Sequence, residues 1–478
     1  MGPPAVPYCP LQPLLSRRTM SRPLALLRPC ALAALLLAAG AAFAAPATYD
    51  ETLAALRAAY ARAVAPGPQA DRHHDLLAAV LQRVERNHAT EVDFAPLATA
   101  ALATLEPLAG QGGDPAQVFA KAMNAALAAL DPHSRYLDAR GHANLRSESS
   151  GSFGGLGLQV EAGEGGVRVT APMPDSPAER AGLLAGDLLV RVDDTPLQGV
   201  ALADAISLMR GQPGTSVSLT FRRAGSSEDQ TVALTRDTIR RQAVRWSMEG
   251  DVLVLRVGSF TSAVAASLQQ AIDAATAAGM PRAVVLDLRG NPGGLVREAV
   301  SVADLFLKEG EIASMRGRTP ASQRVWRADP SESLAGAPMV VLIDRRSASA
   351  SELVAAALQE NGRATVMGQR SFGKGTVQTT YGLGDEGNGA LKLTSAYYHG
   401  PSGRTVNRVG VTPDLPLLAD AAAAPRAAAD ALPAPVQLEI DPARCGTVYK
   451  AADPGLSCAV AFLRSAGEAD FRVKIAAP

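Results

Sequence analysis

Between residues 240 and 418, short apolar runs alternate with longer helical patterns, and this alternation narrows the choice of fold more than the composition does. Apolar runs at Val252–Val257, 283–288 and Met339–Ile343 are separated by stretches with helical spacing, such as Val264–Ala278. Strands that alternate with helices of this length usually pair in parallel, with the helices covering the sheet. The sequence therefore predicts an α/β core in this region.

The rest of the chain differs in pattern from this core, which predicts a multidomain protein of the α/β (α+β) class. Apolar positions at helical spacing dominate the N-terminal part, and strand patterns with glycine-rich turns follow. The predicted divisions are a helical N-terminal region at 46–149, a β-rich unit at 150–238, the core at 239–418, an Ala- and Pro-rich linker at 419–436 and a small C-terminal segment at 437–478.

Residues 1–45 have the pattern of a secretory signal peptide. Several arginines precede an uncharged run of small and apolar residues, which ends in the small-x-small cleavage site Ala42-Phe43-Ala44. We therefore expect export to the periplasm, with translation starting at Met1 or Met20. Because about 17 uncharged residues come close to the roughly 20 that span a bilayer, an uncleaved membrane anchor stays open as the alternative.

Charge and cysteine content agree with an exported protein that has no nucleic-acid partner. Lys plus Arg and Asp plus Glu both number 46, so the net charge is zero. Outside the signal segment only Cys445 and Cys458 remain, and in an oxidising compartment this pair predicts a disulfide; two unrelated thiols are the alternative. His73 and His74 have no supporting cluster of ligands, so we expect no metal and no cofactor.

The unit at 150–238 opens with closely spaced glycines, in the sequence Gly154-Gly155-Leu156-Gly157-Leu158. Adjacent glycines let backbone N–H groups approach a ligand, and such a nest binds an anion, for example a peptide C-terminal carboxylate. Glycines that serve only turns are the alternative. Cap and turn motifs follow in order, at Ser176-Pro177-Ala178, Ala181-Gly182-Leu183 and Gly186-Asp187.

This series resembles a PDZ domain of the bacterial type over about 85 residues. The resemblance implies that an extended peptide adds to the edge of its sheet. It also implies that the peptide carboxylate lies near Gly155, Leu156, Gly157 and Leu158.

Three motifs in the core contain the residues suited to catalysis. Residues 286–294 (Leu-Asp-Leu-Arg-Gly-Asn-Pro-Gly-Gly) lead from a buried strand into a turn whose free N–H groups are suited to stabilise an oxyanion. Residues 347–352 (Ser-Ala-Ser-Ala-Ser-Glu) open a helix, where free N–H groups and partial positive charge lie beside Ser349. Residues 371–378 (Ser-Phe-Gly-Lys-Gly-Thr-Val-Gln) place Lys374 between glycines.

A serine hydroxyl becomes a good nucleophile only when a base removes its proton, and none of the six histidines lies near these motifs. A neutral lysine can be that base if burial lowers its pKa from about 10.4 to about 7–8. Gln378 follows Lys374 by four residues, on the same face of an extended segment, where its amide can orient the amine. A phosphate-binding loop is disfavoured, because Gly375 stands where that motif requires Ser or Thr.

With residues 131–137 (Asp-Pro-His-Ser-Arg-Tyr-Leu), these motifs resemble the C-terminal processing peptidases, also called tail-specific proteases, in that family's order over about residues 50–418. The resemblance implies a crotonase-like (ClpP/crotonase-type) α/β protease core. In it Ser349 is the nucleophile, Lys374 is the general base and Gln378 holds the lysine.

The resemblance also implies an oxyanion hole made by the backbone N–H groups of Ala350 and of Gly293 or Gly294, with Gly293 preferred. Asp287 and Arg289 are expected to form a structural ion pair. Glu352 is expected to favour the N-terminus of its helix electrostatically.

We therefore predict a secreted serine endopeptidase that captures the C-terminal tails of proteins with its PDZ-like unit and then cleaves them. The alternative is a non-catalytic protein on the same scaffold that binds peptides or small apolar ligands. An activating adaptor or lipoprotein, and a homodimer through the N-terminal helices, stay open as further partners.

Overall fold

The computed structural model describes residues 48–223, 225–240, 242–334, 336–418, 439–451 and 453–476. The predicted signal peptide at 1–45 and the predicted linker at 419–436 lie outside the described residues. None of the helices in the described ranges combines the length and the apolar character that a membrane crossing requires.

The N-terminal part of the described chain is helical because each helix has a clear start signal and one apolar face. Thr48 forms a capping box with Glu51, and the side chains of Asp93 and Asp114 accept backbone N–H groups at later helix starts. The elements are α1 (Tyr49–Ala63), α2 (Pro68–Asn87), α3 (Phe94–Leu105), α4 (Pro115–Ala128), β1 (Arg135–Leu137) and α5 (Ala139–Ser150).

The buried faces of α1 to α4 form one core, which also includes Tyr136 of β1 and two leucines of a later strand, Leu391 and Leu393. The helical region therefore packs directly against a sheet of the protease core.

The next unit is a small, mostly antiparallel β-structure. Its elements are β2 (Ser152–Gly155), β3 (Leu158–Gly163), β4 (Gly166–Pro172), α6 (Pro177–Arg180), β5 (Leu188–Val192), β6 (Thr195–Pro196), α7 (Leu202–Met209), β7 (Ser216–Arg222), β8 (Asp229–Thr235) and β9 (Asp237–Arg240). The sheet has the order β3-β4-β5-β7-β8, β6 pairs with β5, and β2 pairs with β9. Alternate residues of β7, Val217, Leu219 and Phe221, fill its core.

The third unit contains two sheets. Its elements are β10 (Val244–Glu249), β11 (Val252–Val257), α8 (Val264–Ala278), β12 (Ala283–Asp287), α9 (Val296–Asp304), β13 (Glu311–Arg316), β14 (Arg324–Arg327), β15 (Met339–Ile343), α10 (Ala350–Glu360), β16 (Thr365–Gly368), β17 (Thr376–Gly382), β18 (Ala390–His399) and β19 (Leu415–Pro416).

The main sheet has the order β10-β11-β12-β15-β16-β19, and every pair except β10–β11 is parallel. All residues of β12 and β15 are buried, because helices cover both faces of this sheet. The mixed α/β fold class is therefore confirmed.

The second sheet joins distant parts of the chain, in the order β1-β18-β13-β14, with β17 also paired to β18. Arg135 of β1 lies opposite Lys392 of β18, which brings the N-terminal region to the strand pair that follows Lys374.

The C-terminal segment forms three helices, α11 (Pro442–Val448), α12 (Pro454–Leu463) and α13 (Glu468–Ala476). A disulfide between Cys445 and Cys458 joins α11 to α12, and both cysteines are buried. Apolar residues of the three helices pack on Val285, Val340 and Leu342. These lie on the face of the main sheet opposite the one covered by α8, α9 and α10.

Candidate active site

Ser349 lies at the sharp turn between β15 and α10, in a strained backbone conformation. Its φ of 59° and ψ of −116° are rare for a residue with a side chain. Such strain is concentrated at active sites, where the surrounding structure holds it. The neighbouring serines are structural: Ser347 Oγ donates to Leu288 O at 2.9 Å, and Ser351 Oγ donates to Asn291 O at 2.9 Å.

The hydroxyl of Ser349 shares a hydrogen bond of 2.7 Å with the hydroxyl of Tyr398. Tyr398 belongs to β18 and is buried, and this burial raises the pKa of its phenol, which therefore stays neutral. The sequence does not predict this contact, because a tyrosine in an apolar strand has no local pattern that points to a serine 49 residues away.

Glu352 connects the two segments on which Ser349 and Lys374 lie. One carboxylate oxygen accepts the backbone N–H of Ser349 at 2.7 Å and that of Lys374 at 2.8 Å. The other accepts Ser371 Oγ and the Gly373 N–H, both at 2.6 Å. Glu352 therefore fixes the loop that contains Lys374 to the turn that contains Ser349, in addition to the helix-terminus effect expected from the sequence.

The Glu352 carboxyl has no solvent exposure. Burial raises its pKa, and the four donated hydrogen bonds counteract that shift. An ionised carboxylate accepts hydrogen bonds only, so four donors match its ionised form.

The Lys374 amine lies in an environment that favours its neutral form. Burial lowers its pKa, the positive charge of Arg135 lowers it further, and Glu352 and Asp131 act in the opposite direction. Within the described ranges, Lys374 Nζ has no hydrogen-bond partner, and Ser349 Oγ is bonded to Tyr398 instead.

Gln378 lies on β17, where its amide donates to Thr376 Oγ1 at 2.8 Å and to Thr394 Oγ1 at 3.4 Å. It is not hydrogen-bonded to the Lys374 amine in this conformation, so its expected function of holding the lysine stays a prediction. Thr394 Oγ1 in turn donates to Asp131 at 2.9 Å.

Asp131 begins the motif at 131–137 and joins the helical region to β18. Its carboxylate accepts hydrogen bonds from Ser134 Oγ at 2.5 Å and from Thr394, and His88 Nε2 lies 3.4 Å away. Burial alone would raise the pKa of Asp131, but these hydrogen bonds outweigh burial and lower it. The motif thus lies close to Lys374. Burial and then the positive charge of Lys374 lower the pKa of His133, and Arg135 contributes to the lowered pKa of Lys374.

The loop expected to supply oxyanion donors lies against Ser349. A Cβ atom on Gly293 would lie 2.7 Å from Ser349 Cβ and 2.9 Å from the Ala350 nitrogen, so only glycine fits. The Gly293 N–H donates to Asn291 Oδ1 at 2.9 Å, whereas the N–H groups of Ala350 and Gly294 have no acceptor among the described residues. In this conformation the Gly293 N–H is thus already bonded within its own loop, and the choice between Gly293 and Gly294 stays a prediction.

A groove of about 440 Å³ runs beside this loop and reaches the first strand of the β-rich unit. Gly294 borders it from the loop, Phe153 and Arg210 from the β-rich unit, and Lys392 from β18.

Comparison with known proteins identifies the family. The profile of Peptidase family S41 matches residues 251–417, and a PDZ domain profile matches residues 168–223. The carboxy-terminal-processing protease of Bartonella bacilliformis is 42% identical over 305 residues, which cover 63% of this chain and 70% of that protein.

The chain belongs to the carboxy-terminal-processing proteases of family S41. The carboxy-terminal processing protease CtpA of Bacillus subtilis is 34% identical over 60% of this chain and 60% of that protein. A solved structure, of a photosystem II D1 C-terminal processing protease, has 27% sequence identity and a TM-score of 0.43, with 77% of this chain and 93% of that chain covered. The two family profiles and the relatives at 42% and 34% identity confirm the predicted resemblance.

The PDZ domain of this S41 protease has a loop whose backbone donors are free. The N–H groups of Leu156 and Gly157 donate no hydrogen bond within the described chain, whereas both carbonyls accept one. Gly157 has a φ of 72°, and a Cβ atom there would lie 2.2 Å from Ser176 Cβ. Gly155 ends β2 and Leu158 begins β3, so all four predicted residues lie at one end of this unit.

The ion pair expected at the oxyanion loop is present: Arg289 Nε and Nη2 each donate to the Asp287 carboxylate at 2.8 Å. Among the described residues of this protease, no group of three or more His, Cys, Asp or Glu side chains has an arrangement that could hold a metal.

Proposed function

We propose that this S41 protease is a secreted endopeptidase in which Ser349 attacks the peptide bond and Lys374 takes its proton. The observation that carries the proposal is the buried carboxylate of Glu352, which accepts the backbone N–H groups of both residues. Two segments 25 residues apart in sequence are thereby fixed to one group, which is the preorganisation that a nucleophile and its base require.

The first step is acylation of Ser349. A neutral Lys374 amine removes the hydroxyl proton while the oxygen attacks the carbonyl carbon of the substrate, and the lysine then protonates the leaving amine. The free N–H groups of Ala350 and Gly294 stabilise the negative oxygen that forms. Water, deprotonated by the same amine, then releases the acyl group from Ser349.

This reaction requires a change from the resting arrangement. Ser349 Oγ is bonded to Tyr398, so its side chain turns toward Lys374 Nζ when substrate enters. In that state the Gln378 amide is proposed to leave Thr376 and Thr394 and to orient the Lys374 amine. Apo active sites commonly reach their reactive hydrogen bonds only with substrate bound.

The PDZ domain supplies the specificity of the proposed reaction. The free N–H groups of Leu156 and Gly157 bind the C-terminal carboxylate of a protein tail, and the tail continues along the groove to the loop at Gly294. The periplasm is the proposed compartment, and an adaptor lipoprotein and a homodimer through the N-terminal helices are proposed partners. Export predicts that the mature chain begins at about residue 46, which N-terminal sequencing of the exported protein checks.

Cleavage of a purified protein substrate with an exposed apolar tail tests the proposal. We expect Ser349→Ala and Lys374→Ala each to abolish cleavage while circular dichroism shows the wild-type fold. Lys121→Ala, which removes an exposed lysine of α4, is the control and should cleave normally. Wild-type activity of Lys374→Ala would refute the Ser–Lys mechanism, and wild-type activity of Ser349→Ala would refute the assignment of the nucleophile.

A further inference from the structure

The C-terminal segment at 439–476 lies beyond the S41 match, which ends at residue 417, yet it packs against the catalytic sheet. Its helix α12 begins immediately after Asp453, whose side chain accepts the Leu456 N–H at 2.8 Å and so caps the helix. The same helix is joined to α11 by the Cys445–Cys458 disulfide.

Asp453 also makes a second contact, with the turn that leads from β12 to the oxyanion loop. Arg289 Nη1 donates to one of its carboxylate oxygens at 2.7 Å, and Arg289 Nη2 donates to the other at 2.9 Å. The same guanidinium donates two hydrogen bonds to Asp287. Arg289 is thus held between two carboxylates, each in a two-point contact that fixes the plane of the guanidinium.

Arg289 and its two carboxylates belong to a charged cluster that also includes Arg256. The two positive and two negative charges of this cluster are equal in number only when Asp453 is counted. Arg256 Nη1 also donates to Asp287, at 3.0 Å, so two guanidinium groups share the one carboxylate supplied by β12. Asp453 adds the second negative charge. Without it, Arg256 and Arg289 would compete for Asp287, and Arg289 would lose half of its hydrogen bonds to carboxylates.

The turn fixed by Arg289 leads directly to the groups around Ser349. The next residue, Gly290, donates its N–H to Asp344, and Asn291 follows. Asn291 O accepts the Ala348 N–H at 3.0 Å and Ser351 Oγ, while its side chain accepts the Gly293 N–H. Three consecutive residues, Arg289 to Asn291, therefore connect the Asp453 contact both to the turn that contains Ser349 and to Gly293 of the oxyanion loop.

We propose that Asp453 is a positioning residue for peptide hydrolysis, which holds Arg289 and thereby the turn that carries the oxyanion donors. The C-terminal segment is then a working part of the active site rather than an appendage. This inference rests on the proposed function, since it assumes that the Gly294 and Ala350 N–H groups stabilise the transition state.

Steady-state cleavage of a tailed peptide by full-length variants tests the proposal. Asp453→Asn removes the charge but keeps a side chain that caps helices well. Because oxyanion donors act mainly in the transition state, we expect kcat to fall about 10-fold or more with little change in KM. Arg289→Lys should act in the same way, and the double variant should be no worse than either single one.

Asp251→Asn is the matched control. Asp251 accepts a hydrogen bond from Arg464 at 2.8 Å, so this pair joins the other end of α12 to the core, away from the oxyanion loop. We expect it to leave kcat unchanged. Should Asp453→Asn fail to fold, Arg289→Lys takes its place, because it keeps the charge without the planar fork.

Three results would overturn the proposal: a wild-type kcat for Asp453→Asn, equal losses of kcat in Asp453→Asn and Asp251→Asn, or additive effects of Asp453→Asn and Arg289→Lys. Failure of the proposed function would look different, because Ser349→Ala would then still cleave the peptide.

Discussion

At the residue scale, the environment of Lys374 determines whether its amine can act as a base. Burial is the main cause of its lowered pKa, and Arg135 is the next. Lys374 in turn acts on His133 and Lys392. Burial lowers the pKa of both, and the positive charge of Lys374 lowers it further. Only the neutral amine removes a proton, so the rate of hydrolysis should fall as the pH decreases through the lowered pKa of Lys374.

Replacing Arg135 tests this electrostatic account. Arg135→Gln removes a positive charge, which raises the pKa of Lys374 toward its ordinary value and moves the acidic limb of kcat/KM to higher pH. Arg140→Gln, an equal change of charge at an exposed position of α5, should leave the limb in place. The measurement is the pH dependence of kcat/KM for the two variants and the wild type. An acidic limb that stays at the same pH or moves to lower pH in Arg135→Gln would contradict the account.

Tyr398 is the second residue whose contribution can be measured. Tyr398→Phe removes the hydroxyl that holds Ser349 Oγ in the resting arrangement. Because a neutral hydrogen bond contributes about 1 kcal/mol and this one breaks before Ser349 turns toward Lys374, we expect kcat to rise by up to about fivefold. Tyr397→Phe alters the neighbouring tyrosine on the other face of β18 and serves as the control. Equal kcat values for both variants and the wild type would show that the Tyr398 contact has no kinetic consequence.

At the element scale, α10 and the lysine loop are held together by Glu352. Glu352→Gln keeps the shape of the side chain but places an amide NH₂ against the hydrogen-bond donors that the carboxylate now accepts. We therefore expect the free energy of unfolding to decrease by about 2–3 kcal/mol. We also expect kcat to fall at least about 100-fold, because the segments of Ser349 and Lys374 are no longer held together. Glu360→Gln changes the other end of the same helix, where the carboxylate accepts Ser402 N–H at 2.8 Å, and should retain kcat. Urea unfolding and cleavage assays measure both effects; a fully active Glu352→Gln protein would contradict this assignment.

The disulfide acts on the C-terminal helices. Cys445 and Cys458 are 13 residues apart, and closing a loop of this size stabilises a protein by roughly 3 kcal/mol through the unfolded state. We expect the double serine variant to melt at a lower temperature than the oxidised protein and to be insensitive to added reductant. If the wild-type protein melts at the same temperature with and without reductant under unfolding conditions, the disulfide does not stabilise the fold.

Local patterns predict where the candidate site residues lie in the chain, but not the contacts between them. Small residues and glycines surround Ser349 and Lys374 in short motifs, and these motifs single out the two residues. Tyr398 of β18 contacts Ser349 although the two residues are 49 positions apart in the sequence. Arg289 and Asp453 are in contact although 164 positions separate them. Such contacts depend on strand order and helix packing, which the periodicity of apolar residues does not encode.

At the scale of the whole molecule, the PDZ domain and the protease core are connected by the groove between Phe153 and Gly294. The α/β alternation predicted the parallel sheet, which the order β11-β12-β15-β16 confirms. The second sheet was not predicted, because its first strand, β1, comes from the helical region and has only three residues.

Recognition of a free carboxylate predicts a dependence on the chemistry of the substrate tail. We expect a protein or long peptide with an amidated C-terminus to be cleaved at least about 10-fold less efficiently, because the amide lacks the charge that we propose the N–H groups of Leu156 and Gly157 to bind. A peptide too short to reach the PDZ domain is the control and should respond little to amidation. Equal cleavage of the free and amidated tails would contradict the assigned carboxylate loop.

The central claim is that a neutral Lys374 activates Ser349, and covalent labelling tests it most directly. A serine-directed fluorophosphonate is added to the wild-type protein and to Lys374→Ala, and the rate and position of the adduct are followed by mass spectrometry. The account predicts one adduct, on Ser349, that forms in the wild type and is at least about 1,000-fold slower in Lys374→Ala. Labelling of a different residue, or labelling of Ser349 at the same rate in both proteins, would contradict it.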